Sequence, residues 1–157
     1  REAKGWYSRL NCEHVFGATI ILAVWMARAW PRVGESEEQI NARYGQSIGD
    51  IPTASFGAMR GFVMPGSVVG VKLLNGLSEM EMISKDDQSD IPVAEIEALL
   101  KKHGADVPWE ADSSGPADWK RWHSHDLSLV ALYDTKRHFL YVSTKKFSDD
   151  HGGKEKH

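Results

Sequence analysis

One short run in the chain has residue types and spacing suited to metal chemistry: His123-Ser124-His125-Asp126. In an extended segment His123 and His125 project to the same side, close enough to share one ion, with Asp126 beside them as an oxygen ligand. A catalytic metal there would make the protein a metal-dependent hydrolase. The competing reading is a solvated loop leading into a strand, with adventitious surface binding at most. Trp109, Trp119 and Trp122, three of the six tryptophans, offer a second kind of chemistry. Aromatic faces with polar groups at their rim, here Lys120 and Arg121, hold sugars or peptides. The alternative is that the three rings cap the open end of a small core. Asp86, Asp87 and Asp90 supply oxygen ligands, but the run lacks the D-x-D-x-D-G spacing and distant Glu of a calcium loop, so it reads as a solvated turn before a helix.

Other chemistries lack their residues. No G-x-S-x-G elbow and no Gly-rich phosphate loop occurs, and nothing singles out two carboxylates as an acid/base pair. No catalytic residue is assigned and no cofactor is implied. Lys and Arg number 19, scattered among 22 Asp and Glu, which argues against nucleic acid as a partner.

The elements that must position these residues begin at Ser36-Glu37-Glu38-Gln39, a capping box. Ile40 and Tyr44 follow on one face, and Gly45 stops the helix. Pro65-Gly66 fits a type II turn and Asn75-Gly76 a type I′ hairpin turn, which together predict a three-strand meander over about 56 to 64, 67 to 74 and 77 to 84. A two-residue loop at Asn75-Gly76 pairs Lys72 with Glu79, Val71 with Met80 and Val69 with Met82. That register places Val69, Val71, Leu73, Met80 and Met82 on one face. Pro92 opens a second helix running to about His103, with Val93, Ile96, Leu99 and Leu100 on one side. Residues 105 to 126 read as a loop held down by its tryptophans. Leu127 to Tyr133 and Phe139 to Thr144 read as two strands about a tight turn at Asp134-Thr135-Lys136-Arg137.

The predicted fold is therefore α+β: a single antiparallel sheet, made of the three-strand meander plus the C-terminal hairpin, with two helices packed on one face. The long loop leaves open which edge the hairpin joins. The predicted domain spans 30–147, and the Asp-, Gly-, Lys- and His-rich residues 148–157 read as a disordered tail.

The first 29 residues read as a secretory signal. Arg1, Lys4 and Arg9 precede the uncharged stretch from Val15 to Ala27, and Ala27-Arg28-Ala29 supplies the small residues of a cleavage site. The apolar run is too short for a membrane anchor, and Trp30-Pro31 breaks a continuing helix. Cleavage after Ala29 would remove four basic and two acidic residues, taking the net charge from −3 to −5, together with Cys12, the single cysteine. No membrane span would remain. An exported protein, periplasmic or extracellular, is expected.

The helix ending in Arg43-Tyr44-Gly45, the glycine-punctuated meander, the Pro-led helix and the closing hairpin VALYDTKRHFLYVSTKKF resemble small exported bacterial proteins with no assigned function. A fainter similarity is to outer-membrane assembly lipoproteins of the SmpA/OmlA type, which also run helices into a three-stranded meander; their lipid-modified cysteine is absent here. The histidine run is similar to part of the H-x-H-x-D-H run of the metallo-β-lactamase superfamily, except that Asp126 follows His125 directly and no His follows it. The resemblances imply export and an α+β fold. Together with the tryptophans they point to a non-catalytic module that binds a protein or a glycan at the cell envelope, the metal-dependent hydrolase being the alternative.

Overall fold

The computed structural model describes residues 32–103 and 107–151. In chain order these form α1 (Glu37–Tyr44), β1 (Gly49–Thr53), β2 (Gly57–Met64), β3 (Ser67–Leu74), β4 (Leu77–Lys85), α2 (Val93–His103), β5 (Trp109–Asp112), β6 (Trp119–Ser124), β7 (Leu129–Asp134), β8 (Phe139–Thr144) and α3 (Lys145–His151). All eight strands join one antiparallel sheet in the order β1-β2-β3-β4-β8-β7-β6-β5. Two four-strand meanders thus meet along a single seam, where β4 pairs with β8 from Met80↔Ser143 to Ile83↔Leu140.

The expected sheet of one three-strand meander plus a hairpin with two helices is corrected to eight strands with three helices. The missed strands carry weak signals. In β1 only Ile51 is a large apolar residue, and Pro52 is tolerated because the strand lies at the sheet edge. In β5 and β6 a tryptophan falls on each face, so the alternation of polar and apolar residues that marks a half-buried strand is lost. The hairpin joins the meander through β8, and β5 and β6 extend the sheet beyond it.

The helices also divide between the faces. Ile40 and Tyr44 of α1 and Ile96, Leu99 and Leu100 of α2 pack with Phe62, Val69, Val71, Ile83, Leu140 and Val142 on one face. On the other, Phe147 of α3 joins Met59, Met80 and Met82, with Phe56, Phe139 and Tyr141 partly buried against them. Ser148 to His151, expected in the tail, complete α3, whose first turn is capped by the Thr144 hydroxyl accepting from the Phe147 amide at 3.1 Å. The signal-peptide reading of residues 1–29 and the rest of the tail, 152–157, lie outside the described residues. No helix among the described residues is long and apolar enough to cross a membrane.

Turn chemistry fixes most of the rest. Asn75 and Gly76 both have positive φ, as a type I′ turn demands. The Ser36–Gln39 capping box is present, Ser36 N donating to Gln39 Oε1 at 2.9 Å and Gln39 N to Ser36 Oγ at 3.3 Å. Past the hairpin turn, however, the register departs from the two-residue-loop expectation. Leu73 opposes Ser78, Lys72 opposes Met80, and Glu79 is left as a bulge. Val71 therefore faces Glu81, and Val69 faces Ile83, instead of Met80 and Met82. Because side chains alternate, this one-residue slip sends Met80 and Met82 to the α3 face and turns the carboxyl of Glu81 into the α1/α2 core.

Candidate functional site

The histidine run lies at the end of β6 and in the turn to β7. The turn is built by Asp126, whose Oδ1 accepts from Ser124 Oγ at 2.7 Å, Ser128 Oγ at 2.8 Å and Ser128 N at 3.0 Å. These donors, the Ser124 hydroxyl first, hold its carboxyl down to about 2. Asp126 is thus committed to closing the turn with Leu127 at positive φ, and it does not complete a site with the histidines. The carboxylate near them is Glu110 of β5, opposite His123 in the β5–β6 pairing. His123 Nε2 lies 3.5 Å from Glu110 Oε2, and His125 Nε2 lies 4.0 Å from Glu110 Oε1. His125 is 70% exposed, and no group of three His, Cys, Asp or Glu side chains among the described residues is arranged to hold a metal ion. Glu110 carries no signal in the sequence, where residues 105 to 126 read as loop.

The three tryptophans do not share a surface. Positions 119 and 122 of one strand point to opposite faces. Trp122 is buried in the α1/α2 core, against which Trp109 packs partly buried. Trp119 lies on the α3 face, its ring centroid 6.3 Å from that of Tyr141. The Asp86-to-Asp90 turn likewise separates its carboxylates. Asp87 accepts from the Ser89 amide at 2.9 Å, whereas Asp90 accepts from the Tyr133 hydroxyl at 2.5 Å. Tyr133 Oη in turn accepts from the Ile91 amide, anchoring the start of α2.

What the sheet does assemble is an aromatic band on the α3 face. Tyr141 stands at its centre, with ring centroids of Phe56 at 5.7 Å, Phe139 at 6.2 Å and Trp119 at 6.3 Å. Phe147 continues the band from Phe56 at 6.0 Å and stacks on His151 at 4.2 Å. Phe147 is buried, while Phe56, Trp119, Phe139 and Tyr141 are each only half-buried. The strand pairings set Arg121 and Asp112, then His123 and Glu110, beside the band on the same face, so apolar rings border hydrogen-bonding groups of both signs. Such a surface suits binding by stacking and edge hydrogen bonds. Of the expected platform it keeps Trp119; Phe56 comes from the β1–β2 turn and Phe139 and Tyr141 from β8, and the sheet order brings these to Trp119 of β6.

A second cluster is wholly interior. The Tyr44 hydroxyl donates to Glu81 Oε2 at 3.2 Å, and His103 Nε2 lies 4.0 Å from the same oxygen, with both Glu81 and His103 side chains inaccessible to solvent. Burial pushes the Glu81 carboxyl up to about 8 and the His103 imidazole down to about 3, so both are neutral at pH 7. Burial also raises Tyr44 well above the ordinary tyrosine value. No family model, no curated protein and no solved structure matches the chain.

Proposed function

We propose that the protein is a small exported, non-catalytic module that binds a protein or glycan partner at the bacterial cell envelope through the aromatic band on its α3 face. The observation that carries this reading is the half-buried set Phe56, Trp119, Phe139 and Tyr141, drawn from three segments onto one face and bordered by Arg121, Asp112, His123 and Glu110. The α3 helix, seven residues long, seats its own Phe147 with Met59, Met80 and Met82 and leaves these four rings half-buried. Export rests on the basic start, apolar run and Ala27-Arg28-Ala29 site of the first 29 residues.

The test has two parts. Intact mass of the protein from the extracytoplasmic fraction of an expressing bacterium should give a chain starting at Trp30; an uncleaved chain kept inside overturns the address. A photo-crosslinking amino acid placed at Trp119 or Phe139 should then capture purified envelope glycan fragments or a defined envelope protein in a ring-dependent way, lost on Tyr141→Ala. Equal capture from Val93, exposed on α2 on the opposite face of the sheet, would overturn the band as the binding surface.

A further inference from the structure

Glu81 sits in the middle of the sheet, flanked across β3 and β8 by Val71 and Val142 and roofed by α1 and α2. The bulge at Glu79 put it there. Its Oε1, and both ring nitrogens of His103, are buried and have no hydrogen-bond partner among the described residues. A buried acid with one hydrogen bond is tolerable while it is neutral, but its ionisation in this apolar setting is far more costly. Val71 and Val142 bring no charge to meet it. From α1 and the segment before it come Arg43 and Arg32, whose charges add to burial in disfavouring a proton on His103, and Glu35, whose charge opposes ionisation of Glu81 while that of Arg43 favours it. His103 is thereby kept from becoming a cationic partner for an ionised Glu81.

The elements around the cluster differ in how firmly they are held. β4 is an interior strand, paired on both sides. α1 is fixed by its capping box, by the Arg43–Glu35 ion pair, and by Ser78, whose hydroxyl accepts from the Gly34 and Glu35 amides and donates to the Arg32 carbonyl. The first turn of α2 is tied by the Lys85–Glu95 ion pair at 3.1 Å and by Tyr133 Oη on the Ile91 amide. In its last turn Leu99, Leu100 and His103 are seated in the core, and His103 is its final residue. We propose that Tyr44, Glu81 and His103 form a pH-sensitive latch that seats the last turn of α2 on the sheet while Glu81 is protonated and releases it when Glu81 ionises.

The experiment is amide hydrogen exchange on the full chain between pH 6 and pH 9, corrected for the intrinsic pH dependence of exchange. The amides of Leu99 to His103 should lose protection at least tenfold over that range while those of β2 and β3 keep theirs. The Glu81→Gln variant should lose the dependence. Tyr44→Phe, which removes the hydrogen bond that favours the ionised carboxyl, should move the midpoint to higher pH. Protection of α2 that is constant with pH, or that falls in step with β2 and β3, overturns the latch, as does a Tyr44→Phe midpoint that stays put or moves down.

Discussion

Glu81 lies opposite Val71 in the pairing of β4 with β3, and the bulge at Glu79 is what brings the two together. Ser78 opposes Leu73 before the bulge and Met80 opposes Lys72 after it, so the two flanking pairs already alternate correctly without Glu79. Deletion of Glu79 should therefore leave Glu81 opposite Val71. The variant should fold, losing the 2.5 Å hydrogen bond from Thr144 to Glu79 and about 1 kcal/mol of stability. Cross-strand proton contacts between residues 71 and 81 check this; contacts between 71 and 80 would refute it.

Stability should peak between about pH 4.5 and 6.5. Glu81 is raised from 4.5 to about 8, so its contribution is complete below pH 4.5 and is lost as pH rises through 8. Glu35, raised by its own burial, adds to that loss. His103 is lowered from 6.5 to about 3, so its contribution is present above pH 6.5 and is lost as pH falls through 3. Between 4.5 and 6.5 the two slopes oppose one another. Urea unfolding across pH should show both limbs, and Glu81→Gln should flatten the alkaline one alone.

Trp122 and Trp119 should separate cleanly. Trp122→Ala empties part of the α1/α2 core and should cost about 3–5 kcal/mol. Trp119 is half-buried in the band on the other face, and its replacement by Ala should cost less than half as much while reducing binding. Denaturant unfolding of the two variants gives the comparison; equal losses would make Trp119 a core residue.

Replacing Asp126 by Ala should lower the unfolding temperature, because Ser124 and Ser128 lose their common acceptor. The drop should be the same with and without a chelator. A drop that vanishes in chelator would restore Asp126 as a metal ligand.

Ser78→Ala tests the clasp that holds the segment before α1. It removes the acceptor for the Gly34 and Glu35 amides and should cost about 1–3 kcal/mol, read from unfolding midpoints.

The residues that announced themselves in the sequence were those whose signal is local. The capping box at Ser36, the Asn75-Gly76 turn and the stripe of Val93, Ile96, Leu99 and Leu100 each depend on neighbours a few positions away, and each is present except that Val93, at the start of the stripe, is exposed. Glu79 was illegible as a bulge because nothing local distinguishes it from a paired strand residue; the choice is made by which register buries Ile83 beside Val69. The candidate site split along the same line. Trp119 could be picked out by type, but Phe56, Phe139 and Tyr141 join it only through the order in which distant strands pair. Glu110 escaped for the same reason, its tie to His123 being a cross-strand one.

The seam between β4 and β8 also bears on the order of folding. Within each meander every strand pairs with its sequence neighbour, so those contacts close short loops and form early. The seam instead brings together groups as far apart in the chain as Thr144 and Glu79, separated by 65 residues. Two quickly formed halves must then find each other, and the unpaired edges of β4 and β8 stay open until they do. In that interval the chain is most exposed to mispairing with another copy of itself, which makes dilution during refolding the condition that governs its yield.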